Sequence, residues 1–151
     1  MRLTTCLLLA TSVLVVSCGD DQDPDAASEL LERIRDEGYT KWARAPGYEE
    51  RKATNAPHAD QVEIFVNGVV EEALAAGDPL EKWPVGSIVA KDGYADDGTH
   101  ELVAVMEKRK DGWFWAEYDA ASGESSYSGK PATCIDCHAT GSDYVRAFDL
   151  P

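Results

Sequence analysis

A chain of 151 residues can bury one modest core, and 44% hydrophobic with 28% charged residues is a globular composition. The formal net charge is −14, from 28 acidic against 14 basic residues. A polyanion gains nothing from such a surface, so nucleic acid is excluded as a partner and a basic partner is favoured.

The first segment reads as a targeting sequence. Arg2 gives a thin positive start, and residues 7–16 form an apolar run too short to be a stable membrane span. Val15-Val16-Ser17-Cys18-Gly19 then resembles the lipobox of bacterial lipoproteins, where cleavage precedes a cysteine that carries diacylglycerol. On that reading residues 1–17 are signal peptide, Cys18 is lipidated, and 18–23 are an acidic tether to a domain covering 24–151. An ordinary secretory signal with an incidental cysteine is the alternative. Gly19 differs from the aspartate that resembles an inner-membrane retention signal, so the expected place is the periplasmic side of the envelope, anchored to the outer rather than the inner membrane. Cys6 leaves with the signal, so Cys134 and Cys137 are the only cysteines expected in the folded domain, in an oxidising compartment.

Asp23-Pro24 reads as an N-cap followed by proline at the first helical position. Ala27, Leu30, Leu31 and Ile34 form an amphipathic stripe, and Gly38 is a stop, so a helix is predicted over 24–37. Residues 39–60 read as irregular, with Tyr39, Trp42 and Tyr48 packing as satellites. Strands are predicted at 61–67, 86–91, 101–109 and 113–119. A short helix capped by Asn67 covers 68–76, and Lys110-Asp111-Gly112 makes a hairpin turn. Residues 92–100 and 122–130 read as polar loops. The fold class is therefore α+β, predominantly antiparallel, with an N-terminal helix and a C-terminal helical segment.

That last segment holds Cys134-Ile135-Asp136-Cys137-His138, which has three readings. A redox dithiol would want Cys-x-x-Cys beside a βαβ unit, whereas a hairpin precedes it here. A zinc site would want a fourth ligand, and His58 or His100 lacks finger-like spacing. Covalent haem c uses all three residues: two thioethers from Cys134 and Cys137, and an axial iron ligand from His138. Beyond His138 the chain has no Met, His, Cys or Lys, so a sixth ligand would come from Met106, His58, His100 or a lysine upstream. Core packing is the competing role for Met106, and solvent exposure for His100. The economical expectation is one haem with five-coordinate iron, open to a small ligand. Phe65, Trp113, Phe114 and Trp115 are candidates for an apolar distal pocket, with sheet core as their competing role. Lys130 and Arg146 are candidates to pair with haem propionates.

The segments 57–67, 83–94, 101–119 and 129–145, in that order, resemble the cytochrome P-460 / cytochrome c′-β family. The resemblance implies an exported mono-haem protein, mostly antiparallel β, commonly a homodimer. It also implies one of two activities: hydroxylamine oxidation, with a lysine–porphyrin crosslink and a distal carboxylate, or nitric oxide binding in an apolar pocket. Asp92 stands where the family pattern carries a distal carboxylate, and Lys52, Lys82 and Lys91 are the nearby lysines. The alternatives are a simple periplasmic electron-transfer cytochrome and, more distantly, a zinc-stabilised binding lipoprotein. The expected partners are a small-molecule ligand or substrate, nitric oxide or hydroxylamine, and a redox partner protein.

Overall fold

The computed structural model describes residues 22–55 and 57–151. The expected signal peptide, Cys18 and most of the expected tether lie outside these residues. No helix among those described is long and apolar enough to cross a membrane.

Helix α1 runs Pro24–Asp36, capped by the Asp23 carboxylate accepting from the Ala26 N–H. Gln22 and Asp23, the end of the predicted tether, are bonded to Ser128 and so belong to the domain edge. A 3-10 turn, Tyr39–Lys41, follows left-handed Gly38. Then come β1 (Ala43–Arg44), β2 (Lys52–Ala53), β3 (Gln61–Val66), α2 (Gly68–Ala76), β4 (Ile88–Tyr94), β5 (His100–Arg109), β6 (Gly112–Asp119), β7 (Ser125–Gly129) and α3 (Ala132–His138). The strands make one antiparallel sheet in the order β1-β3-β4-β5-β6-β7, with β2 pairing a different stretch of β3.

The α+β reading holds, and so do both longer helices with their caps. Four local expectations change. Residues 43–44 and 52–53, inside the stretch read as irregular, pair with β3 as two-residue strands. Residues 92–94 continue β4, leaving only 95–99 as loop, because Gly93 lets a neighbouring segment lie against the strand. Residues 125–129 are an edge strand, whose polar face stays exposed and whose sequence therefore lacks an apolar alternation. Tyr39 is core rather than satellite, 6% exposed beneath α1.

Each face of the sheet carries its own apolar cluster. On one face Leu30, Leu31 and Ile34 of α1 pack against Phe65, Ile88, Val103, Phe114 and Tyr118. Burying each such aliphatic side chain contributes about 2–3 kcal/mol, which is how a 13-residue amphipathic helix is held. On the other face Ile64, Val89, Met106, Trp113 and Trp115 meet Trp83, Val145 and Phe148. That second cluster lies where the C-terminal segment folds back.

Candidate functional site

The second face is incompletely filled. A cavity of about 290 Å³ lies between the sheet and the C-terminal segment, lined by Ile64, Val89, Met106 and Trp115 and reached by Cys134, Cys137 and His138. The chain thus places its Cys-x-x-Cys-His motif against an apolar wall made by β3 to β6. Period-2 alternation selects the wall: positions 89 and 91 of β4 and 115 and 117 of β6 face the cavity, while 88, 90 and 92, and 114 and 118, serve the other face.

Helix α3 is short and buries none of its residues. Cys134 and Cys137 are three apart on it and therefore share a face. His138 ends the helix, and its ring lies edge-on to Trp115, with centroids 4.7 Å apart. Its Nδ1 is 2.9 Å from the Tyr144 carbonyl oxygen. A carbonyl only accepts, so Nδ1 carries the proton and Nε2 keeps its lone pair. Burial pushes the imidazole pKa down to about 4, so the ring is neutral at ordinary pH. A neutral imidazole with its second nitrogen tied to a carbonyl is the form that binds metal. Arg146 donates to the Cys137 carbonyl oxygen and sulfur, both at 3.2 Å, and lines the same cavity. Lys130 instead pairs with Asp111 at 2.6 Å.

Besides His138, Arg146 and the two cysteines, the charged or titratable side chains lining the cavity are His58, Lys91, Glu117 and Tyr127. The His58 Nδ1 is 2.7 Å from a Glu117 carboxylate oxygen, with both side chains only about one fifth exposed. His58 reaches the site because its loop packs on β4 at Gly93. A Cβ there would come within 2.9 Å of the His58 carbonyl oxygen. Burial lowers the Lys91 pKa to about 8, with Arg146 acting in the same direction and Glu117 opposing.

Asp92 is elsewhere. Its side chain is on the α1 face, where it accepts the Tyr39 hydroxyl at 2.8 Å and lies 3.4 Å from His100. The residue next to it, Lys91, takes the cavity position, and the carboxylate that lines the cavity is Glu117. Phe65 and Phe114 also belong to the α1 face. Trp115 and Met106 are cavity wall, and Trp113 sits on the cavity side with its indole N–H donated to the Asp143 carbonyl. Glu117 was not singled out by the sequence. Its signal was available in the alternation of "WFWAEYD", which puts residues 113, 115 and 117 on one face. The described residues hold no group of three or more His, Cys, Asp or Glu side chains arranged for a metal ion.

The donor set fits a haem. Two thiols share one helical face, a neutral imidazole has its second nitrogen free of the Tyr144 bond, and the facing wall is apolar. An antiparallel sheet carrying a terminal Cys-x-x-Cys-His helix over an apolar cavity defines a haem-protein class. The Cytochrome P460 family model matches residues 36–146, and the chain belongs to that family. The family is one of c-type haem proteins of nitrogen-compound chemistry and implies a haem cofactor here. No curated protein and no solved structure matches the chain.

Proposed function

We propose that the protein is an exported c-type haem protein in which Cys134 and Cys137 would hold one haem covalently and His138 would bind its iron, and that it oxidises hydroxylamine in the cavity these residues share with His58 and Glu117. When bound, the haem supplies an iron that takes a small ligand and exchanges electrons. The observation that carries the reading is the hydrogen-bonded His58–Glu117 pair, which lines the same cavity as His138 beside the apolar side chains of Ile64, Val89, Met106 and Trp115. Hydroxylamine oxidation releases protons together with electrons, so it needs a proton acceptor beside the substrate. Glu117 accepts from the His58 Nδ1–H, which leaves Nε2 to take the proton. The electrons pass to a redox partner protein. Lys91, the lysine that lines the cavity, is the candidate for a crosslink to the porphyrin. Lipid attachment at Cys18 would hold the domain at the periplasmic side of the outer membrane, and replacing Cys18 with Ala would release it from the membrane fraction.

Nitric oxide binding is the second reading, favoured by the apolar wall of Ile64, Val89, Met106 and Trp115. The haem-loaded protein, given hydroxylamine and an artificial electron acceptor, separates the two. Oxidation is expected, with a fall of about 100-fold in His58→Gln and Glu117→Gln and nitric oxide binding retained in both. A wild-type protein that binds nitric oxide but never reduces the acceptor would leave the gas-binding reading in place.

A further inference from the structure

Helix α3 has seven residues, no side-chain N-cap bond and no buried residue. It lacks the packing to fix the plane of the His138 ring by itself. The ring is fixed from outside, by the Tyr144 carbonyl oxygen at 2.9 Å. That carbonyl is aimed by an unusual backbone. Asp143 and Tyr144 are both left-handed, at φ 46° and 70°. Two consecutive non-glycine residues in this region cost on the order of 1–3 kcal/mol each, so surrounding contacts must hold them there. Gly141 permits the tight turn, since a Cβ at that position would collide with the Val145 carbonyl.

The contacts that hold the turn are directional. Lys108 reaches from β5 and donates to both Asp143 carboxylate oxygens, at 2.9 and 2.6 Å. The two side chains are only 10% and 6% exposed. The Trp83 backbone N–H donates to the same carboxylate at 2.9 Å, and the Trp83 indole to the Ser142 carbonyl at 3.2 Å. The Trp113 indole donates to the Asp143 carbonyl at 2.8 Å. With the carbonyls of residues 142 and 143 engaged by two tryptophans, that of residue 144 is left turned toward His138. A buried ion pair gains little net stability over apolar residues of the same size, because desolvation offsets the attraction. Its advantage is direction, and the direction specified here is that of the Tyr144 carbonyl.

We propose that Lys108, Asp143, Trp83 and Trp113 form a positioning device for the axial histidine, setting the orientation and donor strength of the His138 imidazole through the Tyr144 carbonyl. None of the four is a ligand. They act through a backbone hydrogen bond that makes Nε2 a stronger donor. The proposal rests on His138 being the axial ligand and on nothing about the substrate, so a haem-loaded protein that oxidises no hydroxylamine still tests it.

The test uses the haem-loaded full chain with two substitutions. Asp143→Asn keeps the side-chain shape and removes the charge, and Trp113→Phe removes one N–H donor while keeping an aromatic ring. Covalent haem content is measured first, then the iron–histidine vibration of the reduced protein and the reduction potential. The expected result is full haem content, a lower iron–histidine frequency and a raised potential, because a weaker Nδ1–H···O bond makes a weaker donor and favours the reduced metal. A purely structural ion pair would move the unfolding midpoint and leave both signatures at their wild-type values in the loaded variants, which overturns the proposal. Should Asp143→Asn fail to mature, Trp113→Phe alone decides, since it leaves the ion pair in place.

Discussion

On the α1 face of the sheet, β3 to β6 present Phe65, Ile88, Val103, Phe114 and Tyr118, closed over by a helix. On the opposite face the same strands present Ile64, Val89, Met106 and Trp115, and part of that face borders a cavity. Each face also holds a buried or partly buried carboxylate. Asp92 accepts the Tyr39 hydroxyl on the α1 face, while Glu117 holds a histidine that lines the cavity. Lys91 and Asp92, adjacent in sequence, therefore live in different surroundings. One face is built for stability and the other for a cofactor, and a single residue step along a strand separates the two.

The largest expected effect breaks the comparison outright. Replacing Cys134 and Cys137 together with Ser should abolish covalent haem attachment, read as loss of haem that stays with the denatured chain. Replacing Ile34 with Ala on the other face should leave haem attachment intact and lower unfolding stability by about 2–5 kcal/mol, since Ile34 is fully buried. If Ile34→Ala removed the haem as well, the two faces would not be separable units of function.

The parts of this arrangement that were legible share a local cause. Asp23, Asn67 and Gly38 punctuate helices through their own side chains or backbone freedom, and the structure places all three at helix ends. The Cys-x-x-Cys-His segment concentrates its chemistry in five consecutive residues. The parts that were hidden depend on long-range pairing. The resemblance points to Asp92 as a distal carboxylate, yet its pairing with Glu63 and Val103 extends β4 past the predicted end of the strand at 91 and puts Asp92 on the face of Ile88 and Ala90. His58 reaches the cavity only because its loop meets Gly93 some thirty-five positions later, at a distance that tolerates no Cβ. The serines of β7 read as loop because edge strands can carry polar side chains on both sides of the pairing. Lys108 and Asp143, thirty-five apart in sequence, gave no signal as a pair.

The smallest expected effect sharpens the contrast between the two carboxylates. Burial raises the Asp92 carboxyl pKa above its ordinary value, while the Tyr39 hydroxyl and the nearby His100 pull it back. A carboxyl whose folded pKa lies above its unfolded one binds its proton more tightly in the native state. The stability it contributes is present in full below the unfolded value of about 4 and is lost as pH rises through the folded value. The charged form of this buried side chain thus weighs against the fold. Asp92→Asn removes the charge and keeps an oxygen to accept the Tyr39 hydroxyl. Its unfolding midpoint should exceed that of the wild type at pH 7, the difference shrinking as pH falls toward about 4, with the haem spectrum unchanged at every pH. A haem spectrum that shifted would place Asp92 in communication with the cavity and undo the division of the sheet into two faces. An equal gain at both pH values would mean that packing, and not the carboxyl's proton, governs that site.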